Sequence, residues 1–314
     1  MPATTINLLG RDMLSLADWK RHEIAAILDT ACAIKADPAS AASALAGRGA
    51  VLLFEKASLR TRVSFEIGIA KCGGHAMYFD HAENRIGQRE SIKDYARNLE
   101  RWVEVIIART YLHDTVTELA EYAAIPVINA LTDLDHPCQA LADLLTLREQ
   151  FGDLSGARPA FIGDGNNVCH ALMLGCAVMG VPLTVITPRG FEPRYGVVQQ
   201  AHALAAEHGT ALTLSNDIGA IAGCNAVYTD TWVSMGQADE AGKRLAVFQP
   251  YQVNPALMAI AEPGAIFMHC LPAKRGVEVT DAVIDAQTSV VYDQAENRMH
   301  AQNALLIHIL SGGL

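Results

Sequence analysis

The chain has 314 residues, 51% of them hydrophobic and 18% charged, with a formal net charge of -10. That length suits a globular protein of two domains, since single cores stop growing near roughly 250–300 residues. The acidic balance argues against nucleic acid or an acidic membrane surface as the main partner, because both demand basic patches.

Residues 1–18 lack a basic start followed by an apolar run, so no secretory signal is expected. Ser15-Leu16-Ala17-Asp18 resembles a capping box, and the amphipathic pattern behind it predicts a helix to about Ala36. Ala36 to Ala50 reads as an alanine-rich loop or short helix. The short apolar or β-branched runs Val51–Phe54, His75–Phe79, Val105–Arg109 and Val127–Asn129 then alternate with helical spacing, as in a parallel sheet covered on both faces. After Gly152 a second set follows: Arg158–Gly163, Leu183–Thr187, Ala211–Leu214, Ala226–Thr229, Ala265–His269 and Ser289–Tyr292, with helices such as Val168–Met179 and Val197–His208 between them. The stretch Ala171 to Ile186 is broken by Gly175, Gly180 and Pro182 and is too short to cross a membrane as a helix. The expected fold class is α/β: two parallel-sheet domains joined by helices. The boundary is placed at the end of the helix His136–Phe151, giving domains 1–151 and 152–294, with a last helix at about 295–314 that packs back on the first domain.

The polar motifs lie beyond the carboxyl ends of these strands, where open α/β sheets collect ligands. Ser58-Leu59-Arg60-Thr61-Arg62 follows the run Ala50 to Phe54 and opens the helical pattern Val63 to Cys72. Unpaired amides and the peptide dipoles at a helix start attract an anion. Two hydroxyls and two guanidiniums make that anion a phosphate, whose oxygens match the fork of arginine. The GxxxxGK[ST] spacing of a nucleotide P-loop is absent. Arg109 ends a strand, where it either faces an open cleft or partner or is an ordinary surface arginine. His136-Pro137-Cys138-Gln139 starts a helix with proline in the first position, behind Asp133 and Asp135. Its His and Gln can point at one ligand, and a structural role for the histidine stays equally open.

In the second half, Gly163-Asp164-Gly165-Asn166-Asn167 lacks the third glycine of a dinucleotide turn, while its paired amides suit a zwitterionic amino acid. Asp230, ahead of Ser234-Met235-Gly236, is either a partner for an ammonium or a loop cap. In His269-Cys270-Leu271-Pro272, adjacent strand residues point to opposite faces, so His269 is not positioned as a base for Cys270. Neither this pair nor the other motifs show zinc spacing. Seven cysteines without a CxxC pair build no disulfide framework, and a reducing cytoplasm is the simplest compartment.

Together, SLRTR at 58–62, Arg109, HPCQ at 136–139, NN at 166–167, DTWVSMG at 230–236, HCLP at 269–272 and DQAENRMH at 293–300 resemble the ornithine carbamoyltransferase family. SxRTR and HPxQ alone would admit the whole carbamoyltransferase superfamily, including aspartate carbamoyltransferase, and SMG with HCLP narrows it to the ornithine branch. The resemblance implies an N-terminal carbamoyl-phosphate domain, a C-terminal ornithine domain and a homotrimer, or multiple of trimers, with active sites at subunit interfaces. It implies that Ser58, Leu59 through its backbone, Arg60, Thr61, Arg109, His136, Gln139, Cys270, Leu271 through its backbone and Arg298 bind carbamoyl phosphate. Asn167, Asp230, Ser234 and Met235 would bind ornithine. Arg60, Thr61, Arg109, His136, Asp230 and Cys270 would carry the catalysis: direct attack of the ornithine δ-amine on the carbamoyl carbon, giving citrulline and phosphate with no covalent enzyme intermediate, metal or organic cofactor.

One position departs from the family pattern. Arg85-Ile86-Gly87 stands where the family usually has Gln-(Ile/Leu)-Gly, so Arg85 either adds a positive group near the carbamoyl phosphate of an adjacent subunit or is solvated. Rival readings are carbamoyl transfer to N-acetylornithine, N-succinylornithine or putrescine, and a non-catalytic binding relative.

Overall fold

The structure is a computed structural model that describes residues 6–233 and 241–314. The chain forms two compact units, one of residues 1–145 with 297–314 and the other of residues 146–296. The division falls inside the helix that runs to Phe151. The reason is burial: Pro137 to Leu147 is enclosed without a break, so no exposed linker marks the boundary.

In the first unit, α1 (Arg21–Ala36) precedes an alternation of β1 (Gly49–Phe54), α2 (Leu59–Lys71), β2 (His75–Asp80), α3 (Ile92–Leu99), β3 (Val105–Arg109), α4 (His113–Tyr122), β4 (Val127–Leu131) and α5 (Pro137–Phe151), which crosses into the second unit. The four strands lie in the order β2-β1-β3-β4, all parallel. β1 and β3 are buried along almost their whole length, as a doubly covered sheet requires. Val51, Leu53, Ile106 and Ala108 pack on one face against Val116 and Leu119 of α4. At the β4 edge, Met13 exchanges backbone bonds with Val127 (2.9 Å) and Asn129 (2.8 Å), so the N-terminal segment covers an otherwise open strand.

The first helix begins later than expected. Ser15 caps only a 3-10 turn, Leu16–Asp18, and the true reciprocal cap is Glu23, whose carboxylate accepts the Lys20 N–H at 2.8 Å. An S-x-x-D pattern supplies a cap but does not say how many turns follow it.

In the second unit come β5 (Pro159–Ile162), α6 (Asn167–Met179), β6 (Leu183–Ile186), α7 (Tyr195–Glu207), β7 (Leu212–Ser215), β8 (Ala226–Thr229), α8 (Ala241–Phe248), α9 (Pro255–Met258), β9 (Ile266–His269) and α10 (Asp281–Ile284). The strand order is β7-β6-β5-β8-β9, again all parallel. The sixth strand expected at Ser289–Tyr292 does not form. Ser289 makes an isolated bridge to Phe267, and α11 (Val291–Ser311) starts at once, running back into the first unit. Val291 is buried in the same core as Phe267 of β9, and a β-branched run that short does not separate strand from helix.

Each sheet has a point where the chain reverses its direction of growth: between β1 and β3 in one, between β5 and β8 in the other. These switch points open a crevice at the carboxyl ends of the strands. The segment leaving β1 carries Ser58, the last residue of β3 is Arg109, and the segments leaving β5 and β8 carry Asn166 and Asp230.

Candidate active site

Thr61 is the hub of the first cluster. Ser58 caps α2: its hydroxyl accepts the Thr61 N–H at 3.3 Å and donates to Thr61 Oγ1 at 3.0 Å. The same Oγ1 accepts from Arg298 at 2.8 Å and lies 3.5 Å from Arg109. Arg298 comes from α11 and also donates to Gln139 Oε1 at 3.2 Å, while Gln139 donates to Asp143 one turn along α5 at 2.8 Å. With three donors directed at the two lone pairs of its oxygen, the Thr61 hydroxyl hydrogen is left free to point away from them, toward a bound anion. Thr61, Arg109, His136, Gln139 and Arg298 are all buried. Two buried guanidiniums meeting on one neutral oxygen repel each other, and an anion relieves that repulsion.

Arg60 sits half-buried in the first turn of α2, and its guanidinium has no hydrogen bond or ion pair among the described residues. The Leu59 and Arg60 amides, at the helix start, have no carbonyl four residues back to bond. Arg62 is a correction to the cradle of two guanidiniums read from the motif. It pairs with Glu66 at 3.0 Å and lies over the Tyr78 ring at 3.8 Å. Two residues along a helix turn about 200°, so Arg60 and Arg62 face opposite ways. The second and third cations come instead from Arg109 and Arg298.

His136 is enclosed at the start of α5, and burial first, then the charges of Arg298 and Arg109, hold its imidazole well below the usual histidine range. It is therefore neutral at physiological pH, with one N–H to donate, and its Nδ1 has no partner among the described residues. Asp135 accepts the His136 backbone N–H at 2.7 Å. Its carboxyl is pushed up to about 7 by burial, against the bonds from Ser15 and His136.

Three residues that motif reading missed belong here. Asp143 orients the Gln139 amide, and only its i+4 spacing signals it. Glu55 is buried and ties two loops together by accepting the N–H of Ile86 (2.9 Å) and of Tyr111 (2.8 Å). Lys56 lies 4.6 Å from the centre of the Tyr111 ring, and burial followed by the Arg109 charge lowers its ammonium below the usual lysine range. Arg85 is exposed and places its guanidinium over the same ring at 4.4 Å.

The second cluster is built around Asp230. Asn166 caps α6, its Oδ1 accepting the N–H groups of Val168 (3.0 Å) and Cys169 (3.1 Å), which aims Nδ2 at Asp230 Oδ2, 2.8 Å away. The Cys270 thiol donates to the other oxygen, Oδ1, at 3.0 Å. Motif reading chose Asn167, the half-buried first residue of α6, and overlooked the partner that fixes Asp230. Ser234 and Met235 lie outside the described residues. Leu271 follows Cys270 in the left-handed region, φ 55°, a conformation that a leucine adopts only under constraint from its surroundings.

Asp230, His269 and Cys270 bring donor atoms within 4.8 Å of one another. Both ring nitrogens of His269 are committed, however: Nδ1 accepts the Leu271 N–H at 2.8 Å and Nε2 faces the buried Glu278 at 3.3 Å. That imidazole holds backbone and offers no lone pair to a metal.

Comparison with known proteins matches each part of the chain to a family model. Residues 11–149 match the family profile described as "Aspartate/ornithine carbamoyltransferase, carbamoyl-P binding domain", and residues 155–309 match "Aspartate/ornithine carbamoyltransferase, Asp/Orn binding domain". An ornithine carbamoyltransferase of Shewanella oneidensis is 51% identical over 96% of this chain and 100% of its own length. One of Pyrococcus furiosus, named as anabolic, is 46% identical over 98% of each chain. The solved structure of ornithine carbamoyltransferase from Pyrococcus furiosus superposes with a TM-score of 0.94 at 46% identity, covering 98% of this chain and 99% of that one. The chain belongs to the aspartate/ornithine carbamoyltransferase family.

Proposed function

We propose that the chain transfers the carbamoyl group of carbamoyl phosphate to the δ-amino group of L-ornithine, giving L-citrulline and phosphate. The observation that carries this reading is the convergence of Ser58, Arg109 and Arg298 on Thr61 at the start of α2, in the part of the chain that matches a carbamoyl-phosphate domain. The phosphate takes the α2 amides, Ser58 and Arg60, whose charge balances the leaving group as its own grows. Thr61, Arg109 and neutral His136 polarise the carbonyl oxygen and stabilise the oxyanion of the tetrahedral intermediate. Gln139 and Arg298 complete the grip.

In the amine half, Asp230 faces the ammonium and Cys270 helps to orient the attacking group. An alkyl ammonium loses its proton near pH 10.4 in water, and a dry site with several guanidiniums favours the neutral amine that attacks. The amine proton leaves with the phosphate, and no covalent enzyme intermediate forms. Asn167, Ser234 and Met235 are assigned to the amino-acid end of ornithine on the family resemblance. The anabolic name of the Pyrococcus furiosus relative supports the direction toward citrulline.

A second copy of the chain fits the exposed apolar stripe Leu59, Val63 and Ile67 of α2, four residues apart each time, beside Met77 and Phe79 on the edge strand β2. Such a stripe beside an open edge marks an assembly surface, and a homotrimer is the form we assign. We assign Arg85 the role of adding positive charge at a neighbour's donor site; an Arg85→Gln variant with an unchanged KM for carbamoyl phosphate would remove that role. No helix among the described residues is long and apolar enough to cross a membrane. None of the seven cysteines forms a disulfide, and on that ground we assign the protein to the cytoplasm.

The deciding experiment measures citrulline and phosphate together, with ornithine, N-acetylornithine, N-succinylornithine and putrescine as acceptors. Equal amounts of both products from ornithine are expected. Turnover confined to another amine, or none at all, contradicts the reading.

A further inference from the structure

We propose that Arg244 is a positioning residue for the amine half of the reaction: by clamping the turn after β5 to the segment after β8, it fixes where the Asp230 carboxylate is presented. The inference rests on the assignment of Asp230 to the amino substrate.

Arg244 belongs to α8 and is 5% exposed. Its guanidinium lies 4.7 Å from the Phe191 ring centre and 5.2 Å from that of Phe248, and these two rings meet edge to face at 4.8 Å. Held in that plane, Nε donates to the Trp232 carbonyl at 2.6 Å while Nη2 pairs with the Asp164 carboxylate. Both arms end two residues from a determinant of Asp230. Trp232 lies two residues beyond Asp230 itself. Asp164 lies two before Asn166, whose amide grips Asp230, and the Asp164 carbonyl accepts the Asn166 N–H at 2.7 Å. The turn between has no slack: a side chain at Gly165 would collide with the backbone of Glu192 and Pro193. A planar fork reaches two acceptors at once in a way that a lysine point charge does not.

The clamp also sorts the charges. The titratable groups facing Asp164 are Arg244 from α8, Asp230 beyond β8 and the Cys169 thiol of α6. Burial raises the Asp164 carboxyl to about 6, Asp230 adds to the rise, and Arg244 opposes it. Paired with Arg244, Asp164 is neutralised, so the charge left for a substrate ammonium is that of Asp230.

The test uses the full-length enzyme with Arg244→Lys and Asp164→Asn. Each is expected to raise the KM for ornithine about tenfold or more, the loss of roughly one charge-assisted hydrogen bond, while carbamoyl phosphate binding measured by calorimetry shifts less than about twofold. In the unmodified enzyme the ornithine KM should also climb as pH falls through about 6, and Asp164→Asn should lack that limb. Arg244→Met leaves a buried carboxylate unpaired and is expected to fold poorly, so the double variant Arg244→Met with Asp164→Asn removes the pair together. It should keep the native circular dichroism and still show the raised ornithine KM, because the Trp232 arm is gone. Equal weakening of both substrates, or an unchanged ornithine KM with the acid limb intact, overturns the inference. Asp230→Asn separates the two levels. If it weakens ornithine while Arg244→Lys and Asp164→Asn do not, the clamp alone falls; if it leaves ornithine untouched, the assignment of Asp230 falls and the clamp with it.

Discussion

Replacing Asp135 by asparagine should change how the protein's stability depends on pH, by an amount set by where the carboxyl sits. Asp135 is enclosed beside His136, and its folded pKa is about 7 against 3.8 for the free group. A folded value above the unfolded one means that the folded state holds a proton that the unfolded chain has already lost. The contribution is therefore fully present below pH 3.8 and is lost as pH rises through 7. At 1.36 kcal/mol per unit, the span amounts to about 4 kcal/mol. Asparagine keeps the shape and an acceptor for the His136 N–H, and does not titrate. The difference in unfolding free energy between Asp135→Asn and the unmodified protein should therefore move in favour of the variant by about 4 kcal/mol between pH 4 and pH 8. For a unit of this size that corresponds to a divergence in Tm on the order of 10 °C. Urea and thermal unfolding followed by circular dichroism, at matched ionic strength across that range, measure it directly. Parallel curves for the two proteins would mean that Asp135 ionises as an ordinary carboxylate, and the electrostatic picture of the α5 start would be wrong.

Thr61→Val removes the hydroxyl on which three donors meet, with little change in shape. It should lower kcat by roughly 10²–10³ with little change in the KM for ornithine, as expected for a lost oxyanion contact; a kcat within threefold of the unmodified enzyme, in a full kinetic comparison, would remove Thr61 from the carbonyl. Arg60→Gly should abolish saturation with carbamoyl phosphate, whereas Arg62→Ala, which loses the Glu66 and Tyr78 contacts, should leave the same titration unchanged. Similar losses in both would restore the second guanidinium to the cradle. Gly165→Ala should cost roughly 1–3 kcal/mol through overpacking against the Glu192–Pro193 backbone, read as a drop in Tm. An unaltered melting curve would show that the turn has room to give.

Much of the cluster around Thr61 was legible because its signals are local. A strand end followed by a hydroxyl and a proline-led helix start are one-dimensional features, and Ser58, Arg109 and His136 stand where those features put them. Arg298 and Gln139 were legible through the family resemblance, since nothing local links residues on two helices far apart in sequence. Arg62 was misread because the motif was taken as five contiguous donors, although helical periodicity separates positions two apart. Asn166 was passed over for its neighbour, yet the first of two asparagines ahead of a helix is the natural cap, and capping is what turns its amide toward Asp230. Arg244 was invisible: its two acceptors are a carbonyl and a carboxylate 12 and 80 residues away. The Ser289–Tyr292 strand failed for the opposite reason, since a short β-branched run reports burial but not conformation.

The central claim is that one cluster holds the acyl donor and the other the amino acid. A crystal structure with a bisubstrate mimic, a phosphonoacetyl group carried on the δ-nitrogen of ornithine, tests it most directly. The phosphonate is expected on the α2 amides with Ser58 and Arg60, the carbonyl oxygen on Thr61, Arg109 and His136, and the α-amino group on Asp230. A mimic bound with its phosphonate away from α2, or with Asp230 still closed on Asn166 and Cys270 and untouched by the ligand, would contradict it.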